Sequence, residues 1–264
     1  MRVIIKKDYK EISQEASRII KNLVNKKSDT TLGLATGSTP LELYKELVRL
    51  NKDKEISFCN VKTFNLDEYY GINSSHPQSY RYYMKTNLFD HIDINQNNTF
   101  IPKGDLNVKE VAQYCQLYEK TIIEAGGIDL QILGIGGDGH IAFNEPGSSF
   151  KSRTRLVALD KQTIQDNSRF FTDIKEVPRF AISMGIGTIL EAKEILFLAT
   201  GKNKAEIVAK ALEGPITSIV PASILQLHPK ITILIDHQAA SCLKRYSHYQ
   251  FIQEAEQEIG TPLF

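Results

Sequence analysis

The sequence predicts an α/β fold, a mostly parallel sheet with helices on both faces, and three observations carry that prediction. The strand candidates at 30–34, 128–133, 195–199 and 231–235 are continuous apolar runs, not alternating ones, as expected of strands buried on both faces. Helical periodicity recurs between them, which is the βαβ pattern of a parallel sheet. The residues able to do chemistry cluster just after strand candidates, where open α/β sheets bind their ligands. With 264 residues, no internal repeat and no Pro/Gly-rich linker, the chain reads as one domain spanning 1–264.

Taken in order, residues 2–5 form a short strand, and Asp8-x-x-Glu11 has the form of a capping box. The helix it opens places Ile12, Ala16, Ile19, Ile20 and Val24 on one apolar face. Strand 30–34 leads through Ala35-Thr36-Gly37-Ser38 into Thr39-Pro40, read as a helix start with Thr39 as N-cap and Pro40 at the first helical position. Leu41, Tyr44, Leu47 and Leu50 face inward from that helix. Strand 61–65 carries Asp67 and Glu68 at its carboxyl end. Residues 71–102 are irregular and rich in Tyr, Asn and His, with a short helix near 80–88, and read as loop and wall. A helix at 108–124 returns to strand 128–133 and the glycine turn behind it. Residues 148–177 are polar and broken, a lid candidate. Strands at 180–184, 195–199 and 231–235, a helix at 202–212 and a terminal helix complete the pattern.

Composition narrows the function. Lys plus Arg number 32 and Asp plus Glu 31, a net charge of +1, which gives no reason to expect nucleic acid or an anionic membrane as partner. No stretch approaches 18 apolar residues, so neither a membrane span nor a secretory leader is expected. Cys59, Cys115 and Cys242 are odd in number and lack C-x-x-C spacing, which fits a reducing cytoplasm better than a disulfide framework or zinc site.

The segment 134–149, GIGGDGHIAFNEPGSS, concentrates the chemistry. Its glycines let a ligand approach the main chain, while Asp138, His140 and Glu145 place acid, imidazole and acid within eight positions. Gly134-x-Gly136-x-x-Gly139 matches a dinucleotide fingerprint, but Pro146 and Gly147 interrupt the helix which that motif requires, so no dinucleotide is expected. The turn Thr36-Gly37-Ser38-Thr39 offers unpaired N–H groups, hydroxyls and a helix dipole, a place for a phosphate. Its spacing to a following Lys is wrong for a nucleotide triphosphate loop. Arg169 and Lys204 would complete an anion site if the fold brings them near. Asp67 and Glu68 point to opposite faces of an extended chain, so at most one of them enters a given pocket, and local chemistry does not choose which. No grouped Cys/His/carboxylate spacing announces a metal, and metal-free acid/base chemistry without cofactor is expected.

Seven segments in order, LGLATGSTP (32–40), FNLDEYYG (64–71), GGDGHIAFNEPGSS (136–149), SRTR (152–155), NSRFF (167–171), GKNKA (201–205) and LQLHPK (225–230), resemble the glucosamine-6-phosphate deaminase family from the first strand to the terminal helix. The resemblance implies a Rossmann-like fold and conversion of glucosamine 6-phosphate and water to fructose 6-phosphate and ammonia through an enolamine. It implies Asp67 as the base between C2 and C1, and His140 with Asp138 and Glu145 in ring opening. The phosphate would lie on Thr36, Gly37, Ser38 and Thr39 with Arg169 and Lys204. Water is consumed, and the enzyme class expected is hydrolase. Allosteric members carry a basic residue just past SRTR, where Leu156-Val157-Ala158 stands here, so simple kinetics are expected. The oligomeric state, monomer or homo-oligomer, stays open. Two rivals are a 6-phosphogluconolactonase, which would need no base at position 67, and a sugar-phosphate sensor, which would bring a DNA-binding extension and lack catalytic acids.

Overall fold

The computed structural model describes residues 1–261 and 263. Its elements run β1 (Arg2–Lys6), α1 (Tyr9–Lys26), β2 (Thr31–Leu34), α2 (Leu41–Lys52), β3 (Lys62–Asn65), β4 (Asp67–Tyr69), α3 (Tyr80–Asn87), β5 (Thr99–Phe100), α4 (Val108–Glu124) and β6 (Leu130–Leu133). They continue with β7 (Arg155–Ala158), α5 (Lys161–Asn167), β8 (Phe180–Ser183), α6 (Ile186–Leu190), β9 (Glu194–Ala199), α7 (Ala205–Glu213), β10 (Ile231–Asp236) and α8 (Tyr246–Ile259).

Seven strands form one parallel sheet in the order β1-β10-β9-β6-β2-β3-β5. Both faces are covered, and the central strands are buried along their length, β2 and β6 without an exposed residue. The apolar runs therefore have the cause assumed for them: a strand with helices on both sides has no solvent face to make polar. The capping box at the start of α1 is real, with Asp8 accepting from the Glu11 amide and Glu11 accepting back from Lys7 N, one residue before the cap. The chain leaves the sheet's centre in opposite senses after β2 and β6, which are neighbours, so a crevice opens at their carboxyl ends. At the other end, Asp129 is clamped by Lys27 at 2.5 Å, Lys193 at 2.7 Å and the Thr31 amide at 2.8 Å, tying β2, β6 and β9 together.

Three expectations are corrected here. Strand 180–184 is not part of the main sheet: β8 lies between β4 and β7 in a separate antiparallel sheet. The reason is the kink at Leu66, whose amide still bonds Leu34 O in the main sheet while its carbonyl receives Met184 N from β8, so the chain changes sheets between Asn65 and Asp67. The lid candidate at 148–177 begins as wall, because β7 is locked in that small sheet, and only α5 and the turns after it overhang the crevice. Residues 71–102 also supply a strand, the two-residue β5 at the sheet edge.

Candidate active site

One cavity of about 790 Å³ opens at the carboxyl ends of β2, β3, β6 and β9. It is lined by Thr36, Gly37, Ser38, Thr39, Asp67, His140, Arg169 and Lys204, residues spread over 169 positions of sequence that only the sheet brings together. Asp138 and Glu145 stand behind His140, within contact of its ring.

The first wall is the turn after β2. Gly37 has φ +90°, a backbone state that side chains rarely adopt, and its missing Cβ would have met nothing, so glycine is needed there for conformation and not for space. Thr39 is not the helix cap: α2 starts at Leu41 with Pro40 as cap residue and no side-chain cap bond. The hydroxyls of Thr36, Ser38 and Thr39 are thus left uncommitted toward the cavity. Lys204, in the turn before α7, donates Nζ to Ile135 O at 2.8 Å and so is pinned at the start of the glycine turn. Burial, and more weakly the Arg169 charge, lower its pKa from the usual 10.5. Arg169 lies over the Phe170 ring at 4.7 Å, with no carboxylate partner among the described residues. Two cations and a row of hydroxyls facing one space make an anion site.

The second wall holds Asp67. It is 6 % exposed, and its carboxyl accepts no hydrogen bond from the described chain. Burial, with the charge of Glu68 adding to it, raises its pKa from 3.8 to about 7, His140 pulling weakly the other way. Tyr69, Tyr80, Phe143 and Phe171 pack as an aromatic group beside it, their ring centroids 4.9–6.1 Å apart along the chain of contacts. The ambiguity between the two adjacent acids is resolved by hydrogen bonding: Glu68 turns away and accepts the amides of Tyr69, Tyr80 and Arg81 at 2.8–2.9 Å, capping α3. Asp67 alone faces the cavity.

The third wall is the glycine turn. His140 Nδ1 lies 2.8 Å from Asp138 Oδ1 and 3.4 Å from Glu145 Oε2, an ion pair by distance whose angles miss those of an aligned hydrogen bond. Burial pulls the imidazole's pKa down, but the two carboxylates outweigh it and push it up to about 9. Burial raises Asp138 in turn, and the contact with His140 reverses that and leaves the acid well below the usual carboxylate range. The ring lies flat on Gly136, where any Cβ would come within 2.2 Å of it. Ala142, at φ +51°, holds a strained backbone in the same turn. Glu145 also receives the Asp160 amide at 3.1 Å, which ties the turn to the segment overhanging the cavity.

The ligand atoms of Asp138, His140 and Glu145 lie within 4.8 Å of one another, a set that could hold a cation. With its pKa pushed up to about 9 the imidazole carries a proton at neutral pH, and a cation would have to displace that proton to bind there. What sequence reasoning missed is the tyrosine and phenylalanine lining: Tyr69, Tyr80, Tyr83, Phe143 and Phe171 all face the cavity. The tyrosine density of 69–83 was the available signal, but it specifies no partner for any ring.

Residues 7–233 match the family model described as glucosamine-6-phosphate isomerases/6-phosphogluconolactonase. A glucosamine-6-phosphate deaminase of Shewanella halifaxensis is 51 % identical over 98 % of both chains, and one of Thermoanaerobacter pseudethanolicus is 51 % identical over 92 % of this chain and 95 % of its own. The solved structure of a monomeric glucosamine-6-phosphate deaminase superposes with a TM-score of 0.89 at 49 % identity, covering 92 % of this chain and all of that one. A 6-phosphogluconolactonase from Trypanosoma brucei shares the fold, with a TM-score of 0.71 at 18 % identity over 91 % of this chain and 97 % of that one. These relatives correct the expected class of hydrolase: the near ones are deaminases, whose chemistry is isomerisation with loss of an amine, and the resemblance to a hydrolase extends to the fold alone. By sequence match over most of its length and by fold, the chain belongs to the glucosamine-6-phosphate isomerase/6-phosphogluconolactonase family.

Proposed function

We propose that the chain is an isomerising deaminase that takes glucosamine 6-phosphate and water to fructose 6-phosphate and ammonia. The observation that carries this reading is Asp67: a buried carboxyl with a pKa near 7 in the same cavity as an anion site. A base so tuned is half ionised at neutral pH and can take a proton from carbon and give it back. A lactone hydrolysis involves no transfer of a proton between carbons, the step this carboxyl suits.

The phosphate rests on Thr36–Thr39 with Arg169 and Lys204. His140, held charged by Asp138 and Glu145, transfers the proton that opens the sugar ring. Asp67 then removes the proton at C2 and delivers it to C1 through an enolamine. Water adds at C2 of the resulting ketimine, and ammonia leaves. No step uses a metal or cofactor. The segment 159–177 acts as a lid, since Arg169 and Phe171 would close over a bound phosphate sugar. Every residue named comes from one chain, so the reading needs no partner subunit. The three free cysteines suit a cytoplasmic location, and among the described residues no helix is long and apolar enough to cross a membrane.

Arg153 is taken up by Glu119 and Glu191, and Arg155 by Asn144 and Ser148, which leaves neither free for an effector and favours hyperbolic kinetics. A sigmoidal curve made hyperbolic by N-acetylglucosamine 6-phosphate would refute that part. The main test is coupled detection of both products from glucosamine 6-phosphate with EDTA present. Equal yields are expected. No turnover, with 6-phosphogluconolactone hydrolysed instead, would give the site to the lactonase reading.

A further inference from the structure

Four of the carbonyl oxygens in the turn from Ala35 to Thr39 lie within hydrogen-bond distance of tyrosine hydroxyls. Tyr44, in α2, donates to Ala35 O at 2.5 Å. Tyr83, in α3, donates to Gly37 O at 2.7 Å. The hydroxyl of Tyr9, the first residue of α1, lies 2.7 Å from Ser38 O and 2.8 Å from Thr39 O, and it accepts the Glu42 amide at 3.0 Å. Three helices thus each send one phenol to the same five-residue turn.

A trans peptide points its N–H and its C=O in opposite directions, and the described residues contain no cis bond. Holding Ala35 O, Gly37 O and Ser38 O on tyrosine hydroxyls therefore fixes these peptides, and with them the direction of the amides of Thr36, Ser38 and Thr39, in a turn that lines the cavity. Released, the same peptides would be free to rotate and present carbonyl oxygens to the anion. Burial raises the pKa of all three phenols, so they stay protonated and remain donors at any working pH.

We infer that Tyr9, Tyr44 and Tyr83 are positioning residues for phosphate recognition, fixing the peptide orientation of the Ala35–Thr39 turn so that its amides meet an anion. This rests on the reading of that turn as the phosphate site. Tyr83 also couples the two ends of the cavity: it stands on α3, whose N-terminus is held by Glu68, the neighbour of Asp67.

The test uses Tyr9→Phe, Tyr83→Phe and the double variant, with Tyr114→Phe, whose phenol receives the Lys103 amide outside the cavity, as the control. Tyr44 is fully buried and Tyr44→Phe carries the greater risk of misfolding, so it is not needed for the decision. Two readouts are taken: KM and kcat for glucosamine 6-phosphate, and the affinity of inorganic phosphate measured by calorimetry on the free enzyme. Each single variant should weaken phosphate and raise KM together, by roughly 2- to 12-fold, the range for one lost hydrogen bond, with a smaller change in kcat. Tyr114→Phe should move neither. Unchanged phosphate affinity in an active Tyr9→Phe, Tyr83→Phe double variant overturns the inference, and so does a fall in kcat with phosphate affinity intact. A wild type that binds phosphate, loses it in the variants and yet does not turn over the amino sugar would remove the functional reading and leave the tyrosine roles standing.

Discussion

Asp67 and Asp138 are the same residue type, the first facing the cavity and the second standing behind His140 in its wall, and they shift in opposite directions. Asp67 sits among aromatic rings with no donor to its oxygens, and its pKa rises to about 7. Asp138 is half-buried but touches the His140 ring and accepts its amide, and its pKa falls. Burial pushes both acids upward, so burial alone does not decide their charge. What separates them is whether the fold supplies a partner for the ionised form. One wall of the cavity leaves a carboxyl without a partner for its charge, the other keeps a histidine charged.

The largest break in this contrast is Asp67→Asn. It removes the base and should lower kcat by about 10³-fold or more, an amount typical of losing a proton-transfer group. The same change should stabilise the fold above neutral pH. A carboxyl whose pKa is higher folded than unfolded weakens the fold progressively from about pH 4 to 7, with the full penalty above that. Thermal denaturation at pH 8 should therefore favour the variant by about 1–3 kcal/mol, and at pH 4 the two proteins should be alike. Equal stability at pH 8 would mean the carboxyl is not destabilised.

Next in size is His140→Gln, expected to lower kcat by about 10²-fold with KM little changed. Its stability signature runs with the opposite arrangement of charge. A histidine raised to about 9 contributes stability that is complete below its unfolded pKa near 6.5 and lost as pH rises through 9. Melting temperature should thus fall between pH 6.5 and 9 in the wild type and less steeply in His140→Gln; parallel curves would show that the ion pair does not hold the proton.

Glu68→Gln sharpens the comparison from outside the cavity. It removes the negative neighbour that helps raise Asp67, so the acid limb of the kcat profile should move to lower pH by about half a unit. The cost is that an amide NH₂ now meets one of the amides of the α3 start, a loss of about 1–3 kcal/mol in stability. The smallest effect is expected of Phe143→Leu, which thins the aromatic wall: a slight downward move of the same limb, seen in the pH–rate profile, with kcat at pH 8 preserved within about 2-fold.

How much of this was legible differs between the walls. Asp138, His140 and Glu145 lie within eight positions, and their contact is nearly a local event, readable from a glycine turn after an apolar run. The choice of Asp67 over Glu68 was not readable from the residues alone, because it depends on where α3 begins and which carboxylate its free amides reach. The resemblance to a family supplied that choice; the hydrogen bonds explain it. The small antiparallel sheet was invisible for a similar reason: residues 180–184 have the apolar pattern of any buried strand, and only the kink at Leu66 assigns them a different neighbour. The tyrosines bonded to the 35–39 turn were not readable as a group either, since Tyr9, Tyr44 and Tyr83 sit on three helices and share nothing but their target.

The sequence by itself determined the α/β class, the succession of strands and helices and the two turns that carry the chemistry, because periodicity, capping and glycine placement act over a few residues. Tertiary structure decided which groups share a cavity, which acid is left without a donor and which carbonyls are held back. Those outcomes follow from distances between segments far apart in the chain, and electrostatic energy and hydrogen bonding depend on that distance and on burial, neither of which is written in local order.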